Sequence, residues 1–160
     1  MRAKVIGAMF GGAVALTIPL VEKIEGVEHN VYYDIAGIPT VCAGITGKDV
    51  VIGKTYTQRE CDNLLVKHIS VAVKEVDKRI KVKVPDDFRA AMYSFTYNAG
   101  TGAYRKSKML RLTNEGDLRG ACNQLWSWTY FTDPKTGKKK KSRGLHNRRA
   151  FEYEYCVRSL

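Results

Sequence analysis

The sequence predicts an α+β fold, with a small β-rich subdomain near the N-terminus and a larger, mostly helical C-terminal lobe. Residues 31–56 place glycines and a proline between β-branched and aromatic residues, which is typical of short strands joined by tight turns. After residue 57, apolar residues recur at helical spacing in several segments. Strands followed by a run of helices indicate an α+β architecture.

Local signals divide the C-terminal part into helices. Thr57-Gln58-Arg59-Glu60 is a capping box, and it predicts a long helix that begins there. Pro85 restarts the chain before an apolar stripe that ends near residues 98–100. Further helices are expected at 107–114, from Asp117 onward, and from about Asn147 to Arg158.

Two polar segments lie outside these helices. Residues 22–30 are expected to form a short helix, because they are polar and follow an apolar run. Residues 132–143 (TDPKTGKKKKSR) are expected to form a basic loop.

The N-terminus suggests export. Arg2 and Lys4 precede an uncharged run of 17 residues, Val5 to Val21, which is at the short limit for a membrane-spanning helix. The run is rich in glycine and alanine, so its hydrophobicity is weak. The basic flank predicts a cytoplasmic N-terminus. We therefore expect an uncleaved membrane signal-anchor segment over residues 1–21 and one domain over residues 22–160, although a cleaved signal peptide or a buried core helix remains an alternative.

The net charge of the chain indicates what kind of partner it binds. A net charge of +11 predicts an anionic partner, which could be nucleic acid, a cell wall or a membrane surface. No nucleic-acid motif is present and an export segment argues against that class, so no nucleic acid is expected.

The four cysteines predict disulfides in an oxidising compartment. Their spacing does not suit zinc, and neither a metal nor a cofactor is expected.

Three side chains in the N-terminal part suggest glycoside hydrolysis. Glu25 ends a helix-like segment, and Asp34 and Thr40 lie in the glycine-rich strand region. In such a reaction one carboxylic acid protonates the leaving oxygen, and another group activates or positions a water. Taken singly, each of the three is more simply a surface glutamate, a turn aspartate or a strand threonine.

Together they match a family pattern. The stretch EGVEHNVYYDIAGIPTVCAGIT resembles the catalytic region of phage-type lysozymes, glycoside hydrolase family 24. That family carries a glutamate, an aspartate nine residues later, a threonine six residues further, and a tyrosine two residues before the aspartate. SFTYNAGTGAY, NEGDLRGACNQLW and GLHNRR resemble its later blocks, so the resemblance covers nearly the whole chain. It implies a lysozyme-like fold and a bacteriophage endolysin that hydrolyses peptidoglycan glycan strands.

The resemblance also assigns roles. Glu25 is the expected general acid, with its pKa raised by a partly apolar setting. Asp34 and Thr40 are expected to hold the attacking water on the opposite face of the sugar, which gives inversion. Arg148 matches an arginine that approaches the catalytic glutamate, and Asn98 matches a residue that binds the sugar chain. The alternatives are a surface arginine and a helix C-terminal cap.

The cysteines resemble those of the exported branch of this family. The expected pairs are Cys42–Cys61 and Cys122–Cys156, the most local of the three possible connectivities. The signal-arrest-release endolysins in this branch imply a monomer held in the host inner membrane through residues 5–21, with its N-terminus cytoplasmic, and then released to the periplasm.

Two alternative functions and the roles of two groups of residues stay open. A lytic transglycosylase cleaves the same bond without water, and a non-catalytic, membrane-tethered wall-binding protein would have no need of the catalytic set. The aromatic cluster of Trp126, Trp128, Tyr130 and Phe131 suits either a core or a sugar-stacking surface. The run Lys138–Lys141 suits either a solvated loop or attraction to anionic polymers.

Overall fold

The structure is a computed structural model that describes residues 11–34 and 36–160. It divides into two compact units, one extending through Val71 and the other comprising Ala72–Leu160. We call them the N-terminal unit and the helical unit. The basic flank of Arg2 and Lys4, and the start of the apolar run at Val5, lie outside the described residues.

The α+β class predicted from the sequence is confirmed. The described residues form, in chain order, helix α1 (Gly12–Glu25), strands β1 (Glu28–Tyr33) and β2 (Pro39–Cys42), helices α2 (Gln58–Arg79), α3 (Asp86–Ala99), α4 (Thr101–Arg105), α5 (Lys108–Asn114) and α6 (Leu118–Asn123), a 3₁₀ turn (Gln124–Ser127), strands β3 (Tyr130–Thr132) and β4 (Lys139–Lys141), and helix α7 (Arg143–Val157). The boundary between the units falls within α2.

Helix α1 contains the end of the apolar run, and it crosses the domain boundary expected after residue 21. Its buried apolar residues are Ala13, Ile18, Leu20 and Val21. Pro19 lies inside the helix. In the part of the chain that the structure describes, no helix has both the length and the apolarity needed to cross a membrane.

The helix expected over residues 22–30 is wrong beyond Glu25. Gly26 has a φ of 74°, which glycine adopts without the Cβ clash that other residues meet, and its N–H donates to the carbonyl of Glu22. This ends α1, and β1 begins two residues later at Glu28. The helix therefore ends at one glycine, within a segment whose other residues were expected to be helical.

The N-terminal unit is built on the antiparallel β1–β2 hairpin, which pairs Tyr32 with Thr40 and Tyr33 with Pro39. The capping box is confirmed: the Thr57 N–H donates to Glu60 Oε2 at 2.8 Å, and the Glu60 N–H donates to Thr57 Oγ1 at 3.2 Å. A disulfide joins Cys42 at the end of β2 to Cys61 on α2, with a Cα–Cα distance of 5.2 Å.

In the helical unit, α3 packs mainly on α7. The fully buried side chains of the helical unit include Phe88, Phe95, Tyr104, Met109 and Leu125. The second disulfide joins Cys122 on α6 to Cys156 on α7, with a Cα–Cα distance of 5.8 Å. Both bonds follow the expected pairing, and loops of this length correspond to about 3 to 4 kcal/mol each in the chain-entropy description.

The basic loop expected over residues 132–143 is instead mostly a hairpin. Strands β3 and β4 pair antiparallel, with Thr132 opposite Lys139. Asp133 holds the turn, because its carbonyl accepts from the Gly137 N–H and its carboxylate forms an ion pair with Lys140 at 2.5 Å. Helix α7 begins at Arg143 rather than near Asn147, since Ser142 Oγ caps it by accepting from the Leu145 N–H.

Candidate active site

Glu25 is the last residue of α1 and is exposed as a whole residue. Its carboxylate lies against Gly44: a Cβ atom built on that glycine would be 3.6 Å from Glu25 Oε2. A larger side chain at residue 44 would therefore fill space beside the carboxylate. The partly apolar setting expected around Glu25 stays a prediction.

Gly44 lies in a tight turn directly after β2. The N–H of Val41 donates to the carbonyl of Ile45 at 2.9 Å, and the Ile45 N–H donates back to Val41 at 2.8 Å. Gly44 has a φ of 75°, and Cys42 in the same turn has a φ of 57°. Such values favour glycine and strain other residues. The Cys42–Cys61 disulfide ties this strained turn to α2.

Asp34 organises the turn that joins β1 to β2. Its Oδ1 atom accepts from the backbone N–H groups of Ala36, at 2.8 Å, and Ile38, at 2.9 Å. Its own N–H donates to the Ile38 carbonyl at 3.1 Å, so the register of the hairpin continues one step beyond Tyr33. Oδ1 is thus used by the turn. Among the described residues, the hydrogen bonds to this carboxylate are all made to Oδ1 and none is made to Oδ2.

Thr40 is buried on β2, and its hydroxyl donates to the Ile38 carbonyl at 2.9 Å. With its proton used in this way, Oγ1 keeps lone pairs that can accept a hydrogen bond. The register pairs Thr40 with Tyr32, which precedes Asp34 by two residues. Opposed residues share a face and side chains alternate along a strand, so Thr40 and Asp34 lie on the same face of the hairpin.

Glu25, Asp34 and Thr40 therefore all belong to the N-terminal unit. The hairpin brings Asp34 and Thr40 to one face, and the turn that follows Thr40 carries the glycine against which Glu25 lies. The arrangement offers a carboxyl group on Glu25 and, on one face of the hairpin, two side-chain oxygen atoms that can accept hydrogen bonds.

Asn98 and Arg148 belong to the helical unit. Arg148 is only 8% exposed, so the alternative of a surface arginine is wrong. Burial lowers the pKa of Arg148 from its ordinary value, although the nearby Glu152 carboxylate raises it. Its approach to Glu25 stays a prediction. Asn98 is exposed near the end of α3, and its Oδ1 accepts a hydrogen bond from Arg149 Nη2.

Sequence reasoning missed Arg149 and Glu152. Both are buried, 1% and 0% exposed, and Arg149 Nη1 donates to Glu152 Oε2. Burial raises the pKa of the Glu152 carboxyl, and the Arg149 guanidinium opposes that shift. The available signal was an arginine followed three residues later by a glutamate, which usually indicates a solvated ion pair on a helix surface.

The four aromatic residues of the cluster differ in whether they suit a core or a sugar-stacking surface. The Trp128 ring packs edge-on against Phe95 at 5.1 Å, in the manner of a core residue. Trp126 is 37% exposed and lies 5.3 Å from the rings of both His146 and Tyr153. The hairpin residues Tyr130 and Phe131 are exposed. A sugar-stacking role thus stays open for Trp126 and the hairpin, and the core interpretation fits Trp128.

Comparison with known proteins identifies the family of the chain. The profile described as phage lysozyme matches residues 22–152. The SAR-endolysin of Enterobacteria phage P21 is 42% identical over 163 residues, which cover 98% of this chain and 95% of that protein. The SAR-endolysin of Escherichia phage Mu is 32% identical over 152 residues, which cover 95% and 85% of the two chains.

A solved structure supports the same assignment. The endolysin from Escherichia coli O157:H7 phage FAHEc1 superposes with a TM-score of 0.81 and 31% identity, covering 90% of this chain and 92% of that one. The lysozyme-like fold expected from the resemblance is confirmed. The chain therefore belongs to the phage lysozyme family of endolysins, and its activity is of the lysozyme type.

Proposed function

We propose that the chain hydrolyses the β-1,4 bond between N-acetylmuramic acid and N-acetylglucosamine in peptidoglycan and so lyses the host cell. Glu25 is the general acid: its carboxyl group protonates the leaving glycosidic oxygen. The observation that carries the proposal is the placement of Glu25 against Gly44, in the turn directly after the strand that holds Thr40. Gly44 has no side chain, so the carboxyl group keeps room for a sugar beside it.

Asp34 and Thr40 supply the water. Asp34 Oδ1 is held by two backbone N–H groups, which leaves Oδ2 as an acceptor, and the Thr40 hydroxyl has already donated its proton to Ile38. A water that donates one hydrogen to each of these oxygens turns a lone pair toward the sugar. Asp34 then accepts the proton as the water attacks.

Inversion is the stereochemical outcome of this arrangement. Attack by water on the face opposite the leaving group converts the β-linkage into an α-configured product in one displacement. Proton NMR of the first product, recorded before mutarotation, is expected to show the α-anomer. A β-anomer as the first product would mean a retaining mechanism and would exclude water placement by Asp34 and Thr40 as described.

We further propose that the enzyme is inactive while residues 5–21 lie in the inner membrane, with the N-terminus in the cytoplasm, and becomes active on release to the periplasm. In the membrane form, Glu25 follows Val21 by four residues, which is about 6 Å along a helix. The catalytic carboxyl would then lie at the membrane surface. In the form described here, Ile18, Leu20 and Val21 are buried, which is the packing expected of a released segment.

Gly11 and Gly12 favour the released form. Their φ values are 64° and 50°, and a leucine at either position meets Cβ strain. In a membrane-spanning helix the same positions would have ordinary helical φ values, and leucine contributes about −0.3 to −0.6 kcal/mol to insertion where glycine contributes little. Leucine at these positions therefore both strengthens the anchor and destabilises the released form.

The triple substitution Gly7→Leu, Gly11→Leu and Gly12→Leu is expected to keep the enzyme in the membrane fraction and to delay lysis. The matched control replaces the same three residues with alanine, which adds the Cβ atoms with little gain in insertion energy. Fractionation and lysis timing are measured for both. An unchanged lysis time for the leucine protein, or a soluble product that begins after residue 21, would contradict activation by release.

A further inference from the structure

The β3–β4 hairpin of the helical unit is strongly basic and open to solvent. Every residue of its two strands is exposed. Residues 132–143, which include its turn and its second strand, carry six cations and one carboxylate. That carboxylate, on Asp133, forms an ion pair with Lys140. The segment therefore has no carboxylate left to neutralise its other cations.

Two exposed aromatic rings lie within this positive charge. Tyr130 is 52% exposed and Phe131 is 44% exposed. Neighbouring residues of a strand point to opposite faces, so one ring leaves each face of the hairpin. The register places Tyr130 opposite Lys141 and Phe131 opposite Lys140. Because opposed residues share a face, each face of the hairpin combines an aromatic ring with a lysine.

The basic surface continues from the hairpin onto the start of α5. A depression of about 460 Å³ is lined by β3, by Lys139 and by the exposed Lys106 and Lys108. Met109 and Trp128 also line it, so an apolar part lies beside three cations. We call the β3–β4 hairpin and the lining of this depression the hairpin surface.

A phospholipid bilayer with anionic headgroups fits both properties of the hairpin surface. Lysines are attracted to lipid phosphates, and aromatic rings concentrate at the level of the headgroups. Nucleic acid would also attract lysines, but its bases stack on rings along one groove, whereas these rings leave opposite faces. The two disulfides, Cys42–Cys61 and Cys122–Cys156, further indicate an oxidising compartment outside the cytosol.

We propose that the hairpin surface docks the protein, in the form described here, onto an anionic phospholipid bilayer. The rings of Tyr130 and Phe131 lie at the headgroup level, and the lysines contact the lipid phosphates. This contact is separate from residues 5–21 and does not need them in the membrane. The proposal goes beyond hydrolysis of the cell wall: vesicle binding is measured without peptidoglycan, so the two proposals fail separately.

The double variant Lys139→Gln, Lys141→Gln tests the charge. It removes two cations from the hairpin face that carries Tyr130 and leaves the Asp133–Lys140 ion pair in place. Binding of the full-length protein to vesicles of phosphatidylglycerol and phosphatidylcholine is measured by co-sedimentation. We expect binding at least tenfold weaker, because each lysine near an anionic surface strengthens binding about fivefold. Added salt is expected to weaken binding of the unsubstituted protein.

The matched control is Lys74→Gln, Lys83→Gln, which makes the same change at two exposed lysines outside the hairpin surface. It is expected to bind within about twofold of the unsubstituted protein, since exposed charges far from the lipid are screened. Equal weakening in both double variants would show a general effect of net charge and overturn the proposal. Unchanged binding of the Lys139→Gln, Lys141→Gln protein would assign binding to residues 5–21 or another surface and also overturn it.

Tryptophan fluorescence tests whether the rings enter the bilayer. Both tryptophans of the chain, Trp126 and Trp128, directly precede β3. Phospholipids with brominated acyl chains quench a tryptophan only at short range, so we expect quenching when the protein binds vesicles that contain them. The variant Tyr130→Thr, Phe131→Thr keeps residues that favour strands and is expected to bind several-fold more weakly, with less quenching.

The control for the rings is Tyr33→Thr, which removes an exposed ring from the N-terminal unit and is expected to leave vesicle binding unchanged. Bound protein without quenching would show that the rings stay outside the bilayer and would overturn the proposal. Binding to duplex DNA with no binding to vesicles at the same salt would assign the surface to nucleic acid and overturn it as well. Melting temperatures verify that each variant is folded. If the Tyr130→Thr, Phe131→Thr protein does not fold, quenching of the unsubstituted protein decides whether the rings enter.

Discussion

Glu25→Gln is expected to abolish cell-wall hydrolysis while the protein stays folded. Glutamine has nearly the shape of glutamate and keeps the contact with Gly44, but its amide cannot donate a proton to the glycosidic oxygen. Loss of a general acid costs roughly 10²- to 10⁴-fold in rate. The measurement is the loss of turbidity of permeabilised Gram-negative cells, with circular dichroism to verify the fold.

Glu28→Gln is the matched control, because Glu28 is another exposed glutamate of the N-terminal unit, three residues away at the start of β1. It undergoes the same chemical change and is expected to keep near-normal activity. Near-normal turnover by a folded Glu25→Gln protein would remove Glu25 from the mechanism. A comparable loss in both proteins would point to a general effect of charge on wall binding.

Arg149→Met is expected to destabilise the protein by about 3 to 5 kcal/mol. The substitution removes the guanidinium that hydrogen-bonds to the buried Glu152 carboxylate, and breaking a buried ion pair by removing one partner costs about this much. It also removes the donor that satisfies the Trp128 carbonyl. Urea unfolding followed by circular dichroism measures the change in the free energy of unfolding.

The double variant Arg149→Met, Glu152→Leu distinguishes the contribution of the ion pair to the free energy of unfolding from the contribution of packing. With both charges replaced by apolar groups, most of the lost stability is expected to return. Arg143→Met is the exposed control on the same helix, with an expected change within about 0.5 kcal/mol. If the Arg149→Met protein were as stable as the Arg143→Met protein, the buried pair would not contribute as described.

The fold class could be predicted from the sequence because its signals are local, whereas the catalytic candidates were joined only by the family resemblance. The capping box at Thr57 and the turn residues between β1 and β2 act within a few positions of each other. Asp34 bonds to backbone groups only two and four residues away, and the register of a short hairpin then fixes the place of Thr40. The resemblance added the roles of these residues.

The remaining features depend on contacts between distant residues. Arg149 and Asn98 are 51 positions apart, and Ser94 and Glu152 are 58 apart, so no periodicity connects them. A charged residue on an amphipathic helix is normally solvated, and the sequence has no mark that distinguishes the buried Arg149 from the exposed Arg143. The β3–β4 hairpin was missed because lysine-rich segments have low strand propensity, and here Asp133 compensates for that.

The central claim is that Asp34 and Thr40 deliver a water to the sugar while Glu25 protonates the leaving oxygen. Digestion of purified peptidoglycan in ¹⁸O-water, followed by mass spectrometry of the fragments, tests it most directly. The account predicts a reducing N-acetylmuramic acid end that carries one ¹⁸O atom at its anomeric carbon. Fragments that end in 1,6-anhydro-N-acetylmuramic acid without ¹⁸O would show cleavage without water and would contradict the account.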